Sequence, residues 1–362
     1  MAKKYIIPIF VPHFGCPHDC IFCNQKKITN VSTTTTAEDV EQEIEKYLSY
    51  FPKAEHVEVA FYGGSFTAIN MDIQSELLQV PYEYKKKGII KEIRLSTRPD
   101  AINSEILENL EKYGVDTIEL GVQSLDDGVL KCSARGHSAA DVYRAVDLIR
   151  EYDFKLGLQM MVGLPMDSSE KSIKTAKEFI RLKPDLVRIY PTLVINETYL
   201  NKLYERGLYQ PLSIDEAVDI CTRLLMMFYV EDIKVIRVGL QPTDNIQLGM
   251  DVVAGPFHPA FRQLVEANIY RLLIEDYLKD RPKADELIIG ASRRETSNIA
   301  GQKSSNIKYI KEKYGIKKVK ILPWDIEDGR IYISIDGQED LVDKNSWMKD
   351  YIRQIERCSI CT

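Results

Sequence analysis

Cys16-Pro-His-Asp-Cys20-Ile-Phe-Cys23 comes directly after a short apolar run, Tyr5-Ile-Ile-Pro-Ile-Phe-Val-Pro12, so three cysteines share the loop that leaves a strand. Three thiolates can hold three irons of a four-iron four-sulfur cubane, whereas a closed electron-transfer cluster takes four cysteines. The fourth iron then stays open to a substrate or a cofactor. The spacing alone also admits a closed zinc site completed by His13 or His18, because three cysteines and a histidine satisfy tetrahedral zinc. What lies downstream separates the two readings.

Downstream, from 57 to 241, short apolar runs rich in Val, Ile and Leu alternate with amphipathic segments of helical length, the pattern of parallel strands joined by crossover helices. Strands are expected at 57–62, 92–96, 117–122, 155–162 and 186–190, with 5–10 as the first of six. Helices are expected at 37–51, capped by Thr36, and at 72–87, 104–113, 139–152 and 169–182. The fold class is α/β: a partial (β/α)6 TIM-like barrel with a small C-terminal α/β extension. The domain reading is 1–243 for the barrel and its extension and 244–362 for the appendage. Active sites of such barrels are built at the carboxyl ends of the strands.

Those ends carry distinctive residues. The second strand runs into Tyr62-Gly63-Gly64-Ser65, the third into Ser96-Thr97-Arg98-Pro99-Asp100, and the fourth into Gly121-Val122-Gln123-Ser124, followed by Arg135-Gly136-His137. The fifth holds Gln159-Met160-Met161-Val162-Gly163, and the sixth ends Arg188-Ile189-Tyr190-Pro191. Paired glycines let a ligand approach the backbone.

Cys-x-x-x-Cys-x-x-Cys with an aromatic, Phe22, before the last cysteine resembles the radical S-adenosylmethionine (SAM) superfamily, and the order of the downstream motifs over about 5 to 195 extends the likeness. The resemblance implies a [4Fe-4S] cluster on Cys16, Cys20 and Cys23, with SAM chelated at the open iron and cleaved by one electron to a 5'-deoxyadenosyl radical. It implies a SAM pocket drawn from Gly63, Gly64, Ser65, Ser96, Gln123, Ser124, Arg135, Gln159, Gly163 and Tyr190. There the glycine turn meets the methionine amino group, Gln123 the ribose, and Arg135 the carboxylate, which suits the paired donors of a guanidinium. Gln159 stands where relatives often carry an Asp for the ribose hydroxyls. Met160 and Met161 are expected to face the adenine or pack in the core.

The Gly-Gly-Ser turn and the runs from Tyr190, Arg206 and Arg237 look like the branch of the Elongator catalytic subunit and oxygen-independent coproporphyrinogen dehydrogenase. The former modifies wobble uridines of transfer RNA, so a tRNA base is the expected substrate, with a small anionic metabolite or tetrapyrrole as the alternative. The subunit's acetyltransferase domain has no counterpart in these 362 residues, so acetyl transfer is not implied. An external electron donor of the flavodoxin or ferredoxin kind is implied.

Hydrophobic residues at 44% and charged residues at 28% describe an ordinary globular chain, and no apolar run approaches the roughly 20 residues of a membrane span. Met1-Ala-Lys-Lys enters a strand rather than a signal core, which leads us to expect a cytosolic protein without a membrane span. Seven cysteines in such a chain read as metal ligands or buried thiols rather than disulfides. The oligomeric state is not legible.

The net charge of -6 speaks against indiscriminate nucleic-acid binding, but eleven basic and four acidic residues between 281 and 324 leave +7 there and -13 elsewhere. Lys303, Lys308, Lys311 and Lys318, on or beside one short helix, are expected to guide an RNA. The appendage should hold a helix at 260–278, a strand at 287–289, a helix ending at 314 and strands at 318–322 and 330–335. Gly301-Gln-Lys-Ser-Ser lacks phosphate-loop spacing, and His258 reads as a structural histidine. Cys358-Ser-Ile-Cys361 offers too few ligands for a second cluster and reads as a frayed tail.

Overall fold

The computed structural model describes residues 4–11, 20–24, 35–51, 54–242, 246–281 and 284–360, the side chains of 358–360 excepted. They form two compact units, Met1–Leu212 with Leu240–Phe257, and Ser213–Gly239 with His258–Thr362. The sequence reading puts the break at 243/244, whereas 213–239 groups with the C-terminal segments.

In the first unit six parallel strands pair in chain order. They are β1 (Lys4–Val11), β2 (His56–Gly63), β3 (Glu92–Thr97), β4 (Thr117–Gln123), β5 (Lys155–Val162) and β6 (Leu186–Pro191). Helices α1 (Ala37–Tyr50), α2 (Met71–Lys86), α3 (Ser104–Lys112), α4 (Asp127–Cys132), α5 (Ala139–Ile149) and α6 (Ser169–Arg181) make the crossovers. Thr36 caps α1 as expected, in a capping box with Asp39, and Ser138 does the same for α5 with Asp141. Helix α5 buries Val142, Ala145, Val146 and Ile149, one stripe at helical spacing.

Strand period two sorts the barrel residues. Ile118, Leu120 and Val122 of β4 alternate with Glu119, Gly121 and Gln123, and Leu156, Leu158 and Met160 of β5 alternate with Gly157, Gln159 and Met161. Met160 is therefore fully buried on the face opposite Gln159, a core residue rather than one facing a ligand. Arg188 on β6 donates from Nη2 to the Tyr62 hydroxyl on β2 at 3.1 Å. Four strand spacings in a flat sheet would separate these strands by roughly 19 Å, so the sheet must curl, and the polar face lines the inside of a partial barrel.

Beyond β6 the unit adds an antiparallel ribbon of β7 (Val194–Ile195) with β9 (Val252–Ala254), and helix α7 (Tyr199–Glu205). The second unit is built from α8 (Ile214–Val230), β8 (Lys234–Val238), α9 (Phe261–Leu278) and a mixed sheet in the order β11 (Lys318–Pro323), β10 (Glu286–Ala291), β12 (Arg330–Ile335), β13 (Gln338–Asp343). Short helix α10 (Thr296–Ala300), α11 (Ser305–Tyr314) and α12 (Lys344–Ile360) complete it. Helix α8 is buried at nine positions, and its Thr222 meets Asn268 of α9 at 3.1 Å, which explains why 213–239 belongs here. Helix α12 runs as far as 360, into the stretch 358–361 expected as a frayed tail; the Cys358 side chain and Cys361 lie outside the described residues.

The basic segment is more neutral than its sequence. Arg281, Arg294, Lys313, Lys317, Lys318 and Lys320 all pair with acids, Lys318 from strand β11 to Glu286 at 2.8 Å rather than from a helix. Lys303, Lys308 and Lys311 are exposed and make no ion pair among the described residues. His258 accepts the Ala260 backbone N–H at Nδ1, 3.1 Å, a structural turn ahead of α9. No described helix is long and apolar enough to cross a membrane.

Candidate active site

The end of the cysteine loop is pinned on both sides. Ile21 donates its N–H to the Ser133 carbonyl at 3.2 Å and accepts the Leu200 N–H at the start of α7 at 2.7 Å. Its side chain packs with Val194, Leu200 and Tyr209, and Phe22 lies against the same cluster, which accounts for an aromatic before the last cysteine. Cys20 is buried and Cys23 half-buried, neither in a disulfide, while Cys16 lies outside the described residues. Among the described residues no three His, Cys, Asp or Glu side chains are grouped to hold a metal ion.

Two guanidinium groups converge on Cys20. Arg135 Nη1 donates to its Sγ at 3.3 Å, and Arg98 Nη1 stands 4.0 Å from the same sulfur. Arg98 is held by a fork on Asp100, with Nε at 2.9 Å and Nη2 at 3.0 Å, and by Nη2 on the Arg135 carbonyl at 2.6 Å. Arg135 is 8% exposed, donates Nη2 to the Gly121 carbonyl at 2.6 Å, and makes no ion pair among the described residues; its buried Nε has no partner. A buried charge without a counterion is expensive unless a ligand supplies one.

The other expected residues fall into two groups. At the rim, Gly63 has φ +110°, and a Cβ there would lie 2.3 Å from the Val11 carbonyl oxygen, so close approach of β1 demands this glycine. Gly64 donates its N–H to the same oxygen at 3.1 Å. Gln123 sits at φ +69° where the β4–β5 register shifts, an uncommon backbone for a residue with a side chain, and its Oε1 is buried without a partner. Ser65 is turned into the wall: its hydroxyl meets Thr97 Oγ1 at 2.9 Å and accepts the Arg98 N–H at 3.2 Å. Ser124 caps the following turn by accepting the Asp126 N–H at 3.2 Å. Gly163, at φ +79°, gives its carbonyl to the Tyr209 hydroxyl at 2.6 Å.

Inside the barrel, Gln159 donates to Glu119 Oε2 at 3.1 Å and Ser96 Oγ at 3.4 Å, and Tyr190 accepts from Arg188 Nη1 at 3.4 Å. They border a network in which Arg94 bridges Glu58 and Glu119, and Arg188 grips Glu119. Burial opposes charge on Glu119, but Arg188 and Arg94 outweigh it and hold the carboxyl below its ordinary range. Burial raises the Tyr62 hydroxyl, which stays protonated.

His137 was quoted in the sequence motif but given no role. Burial, then Arg135 and Arg98, push its pKa down to about 4. The neutral ring donates Nε2–H to the Val122 carbonyl at 3.1 Å and leaves Nδ1 buried without a partner. Arg135 and His137 both border a cavity of about 520 Å³. Three unpaired buried atoms, Arg135 Nε, Gln123 Oε1 and His137 Nδ1, therefore lie on the stretch from β4 to the start of α5, and Arg135 also reaches the Cys20 thiol.

This donor set belongs to a radical SAM enzyme. The family described as the radical SAM superfamily matches residues 10–179 and the Radical_SAM C-terminal domain matches 184–271, and the chain is a member of that superfamily, whose enzymes use a [4Fe-4S] cluster and SAM. The expected cofactors, a [4Fe-4S] cluster and SAM, are those of the family, and the zinc reading falls away. Within the superfamily, a tRNA uridine(34) acetyltransferase of Methanocaldococcus infernus is 36% identical over 35% of this chain and 24% of its own length. Another from Dehalococcoides mccartyi is 29% identical over 57% of this chain and 52% of its own. The chain thus spans a quarter to about half of these relatives. The solved structure of M. infernus Elp3 lacking its N-terminus aligns over 92% of this chain and 75% of that one, with TM-score 0.56 and 22% identity, which shows a shared fold.

Proposed function

We propose that Cys16, Cys20 and Cys23 carry the cluster, that the rim from Gly63 to Gly163 holds SAM, and that the radical produced acts on a base of transfer RNA. When bound, the cluster and SAM together supply a 5'-deoxyadenosyl radical after one electron arrives from an external donor of the flavodoxin or ferredoxin kind. The observation that carries the pocket is Arg135: a guanidinium 8% exposed, without a carboxylate among the described residues, its Nη1 on Cys20 and its Nε without a partner. A ligand carboxylate supplies the missing counterion and accepts the free N–H. Gln123 Oε1 and His137 Nδ1 offer acceptors for ribose or amino hydrogens, and Gln159 and Tyr190 close the pocket from the barrel interior. The fixed Arg188, Glu119 and Tyr62 keep water and mobile charge out of that interior.

The tRNA part rests on the relatives described as acting on uridine 34 and on the exposed Lys303, Lys308 and Lys311 of the second unit. Two measurements test the proposal. Anaerobically reconstituted protein with a reductant should convert SAM to 5'-deoxyadenosine and methionine, and a Cys16, Cys20, Cys23 triple Ala variant should not. Modified nucleosides in tRNA from cells with and without the gene should differ at one uridine; identical profiles would discard the RNA substrate while leaving SAM cleavage standing.

A further inference from the structure

We infer that Arg98 and Arg135 act together as positioning residues that set the reduction potential of the cluster through the Cys20 sulfur. The inference rests on the reading that Cys20 is a cluster ligand. Both guanidinium groups face one sulfur, at 3.3 Å from Arg135 and 4.0 Å from Arg98. Neither can swing away freely. Arg98, 2% exposed, is locked by the Asp100 fork and by the Arg135 carbonyl, and Arg135 by the Gly121 carbonyl. Gly121 is part of the device: a Cβ there would stand 2.8 Å from Arg135 Nη2.

The charge is asymmetric. Asp100 offsets Arg98 through a fork, while Arg135 pairs with no described carboxylate, so about one unit of positive charge bears on the sulfur from within a poorly hydrated pocket. Burial first, and then Arg135 and Arg98, depress the pKa of neighbouring His137. Adding an electron to a cluster adds negative charge, and N–H donors and cations at a ligand sulfur favour the reduced form. Arg98 thus has a role that does not require contact with SAM, and the bond from its Nη2 to the Arg135 carbonyl makes the two act as one unit.

The test is a redox titration of the reconstituted full chain without SAM, following the reduced cluster by its paramagnetic signal, with iron and sulfide counted in each sample. Arg98→Gln should lower the midpoint, changing the reduced-to-oxidised ratio at a fixed poise about tenfold, which is 59 mV for a one-electron couple. Arg98→Lys keeps the charge and should restore part of the shift. Asp100→Asn removes the offsetting carboxylate and should move the midpoint the opposite way. If Arg98→Gln does not load iron, the other two variants carry the test. Midpoints equal to the parent's at equal iron content, or shifts of the same sign for Arg98→Gln and Asp100→Asn, overturn the inference alone. A parent chain that assembles no cluster overturns the ligand reading and this inference together.

Discussion

The first unit buries two sets of arginines in opposite ways. In the barrel interior Arg94 and Arg188 are 5% and 8% exposed and each meets a fully buried carboxylate, Glu58 or Glu119. At the rim Arg135 is as deeply buried, yet it meets a thiol, a backbone carbonyl and an unfilled Nε. A closed charge network holds the strands in place, since losing one partner leaves an uncompensated ion in low dielectric. An open one leaves a positive charge unmatched among the described residues. The same residue type is thus matched by carboxylates in one layer and unmatched, among the described residues, in the next.

The largest effect should come from removing the thiol the rim faces. Cys20→Ser and Cys23→Ser should each reduce 5'-deoxyadenosine formation to background, with iron content falling in parallel; a variant with full iron and turnover breaks the link between rim and cluster. Next is the closed network: Glu119→Gln leaves Arg188 without its carboxylate, and the loss of a buried partner should cost about 3–5 kcal/mol of stability in urea unfolding. Were Glu119→Gln as stable as the parent, the interior would not be the structural half of the pair. Arg135→Gln should do the reverse, with little change in unfolding but SAM binding weaker by about 1.5–3 kcal/mol, roughly ten- to a hundredfold by calorimetry. Unchanged SAM affinity would make the rim guanidinium purely structural.

Much of this contrast was legible in the sequence. All six strands fall within a residue or two of their expected places, because parallel strands covered by helices read as apolar runs. The rim residues were found by their place after each strand. The interior network was overlooked, although its signal was present: Glu58, Arg94, Glu119 and Arg188 each interrupt an otherwise apolar strand, and a charge at such a position must find a partner inside the barrel. Pairing across strands far apart in sequence is what no local pattern reveals. Ser65 and Ser124 illustrate the converse, for their polar side chains turn to the wall and a capping turn instead of the pocket. In the second unit, the neutralisation of Lys318 and Lys320 by Glu286 depends on β10 lying beside β11, so the count of charges overstated the basic surface.

His137 sharpens the comparison through pH. Its folded pKa of about 4 lies below the ordinary value of about 6.5, so as pH falls the unfolded chain takes the proton first. Its contribution to stability is therefore intact above pH 6.5 and is lost on acidification from there toward 4, by on the order of 3 kcal/mol. Unfolding of the parent and of His137→Gln, compared near neutral pH and near pH 5, should show a smaller acid loss in the variant. Equal losses would mean that burial and the neighbouring guanidinium groups do not hold the ring neutral.

The smallest effect concerns exposed charge, and it repeats the contrast of paired and unpaired residues at the surface of the second unit. Lys303, Lys308 and Lys311 have no ion partner among the described residues, whereas Lys318 is engaged by Glu286 at 2.8 Å. Exposed pairs are worth little in stability, so all four are free of any large folding role. A phosphate backbone should nonetheless prefer the unpaired three, because binding there displaces no carboxylate. Each phosphate contact adds about 0.7 to 0.9 to the slope of log binding constant against log salt. Changing Lys303, Lys308 and Lys311 together to Gln should flatten that slope for bulk tRNA by about 2 and weaken binding several-fold near physiological salt, while SAM cleavage without RNA stays as in the parent. Lys318→Gln should leave the slope nearly unchanged. If Lys318→Gln flattens it as much as the triple change, partner status does not select the contacts; if neither does, RNA does not dock on this face and the tRNA reading loses its support from charge.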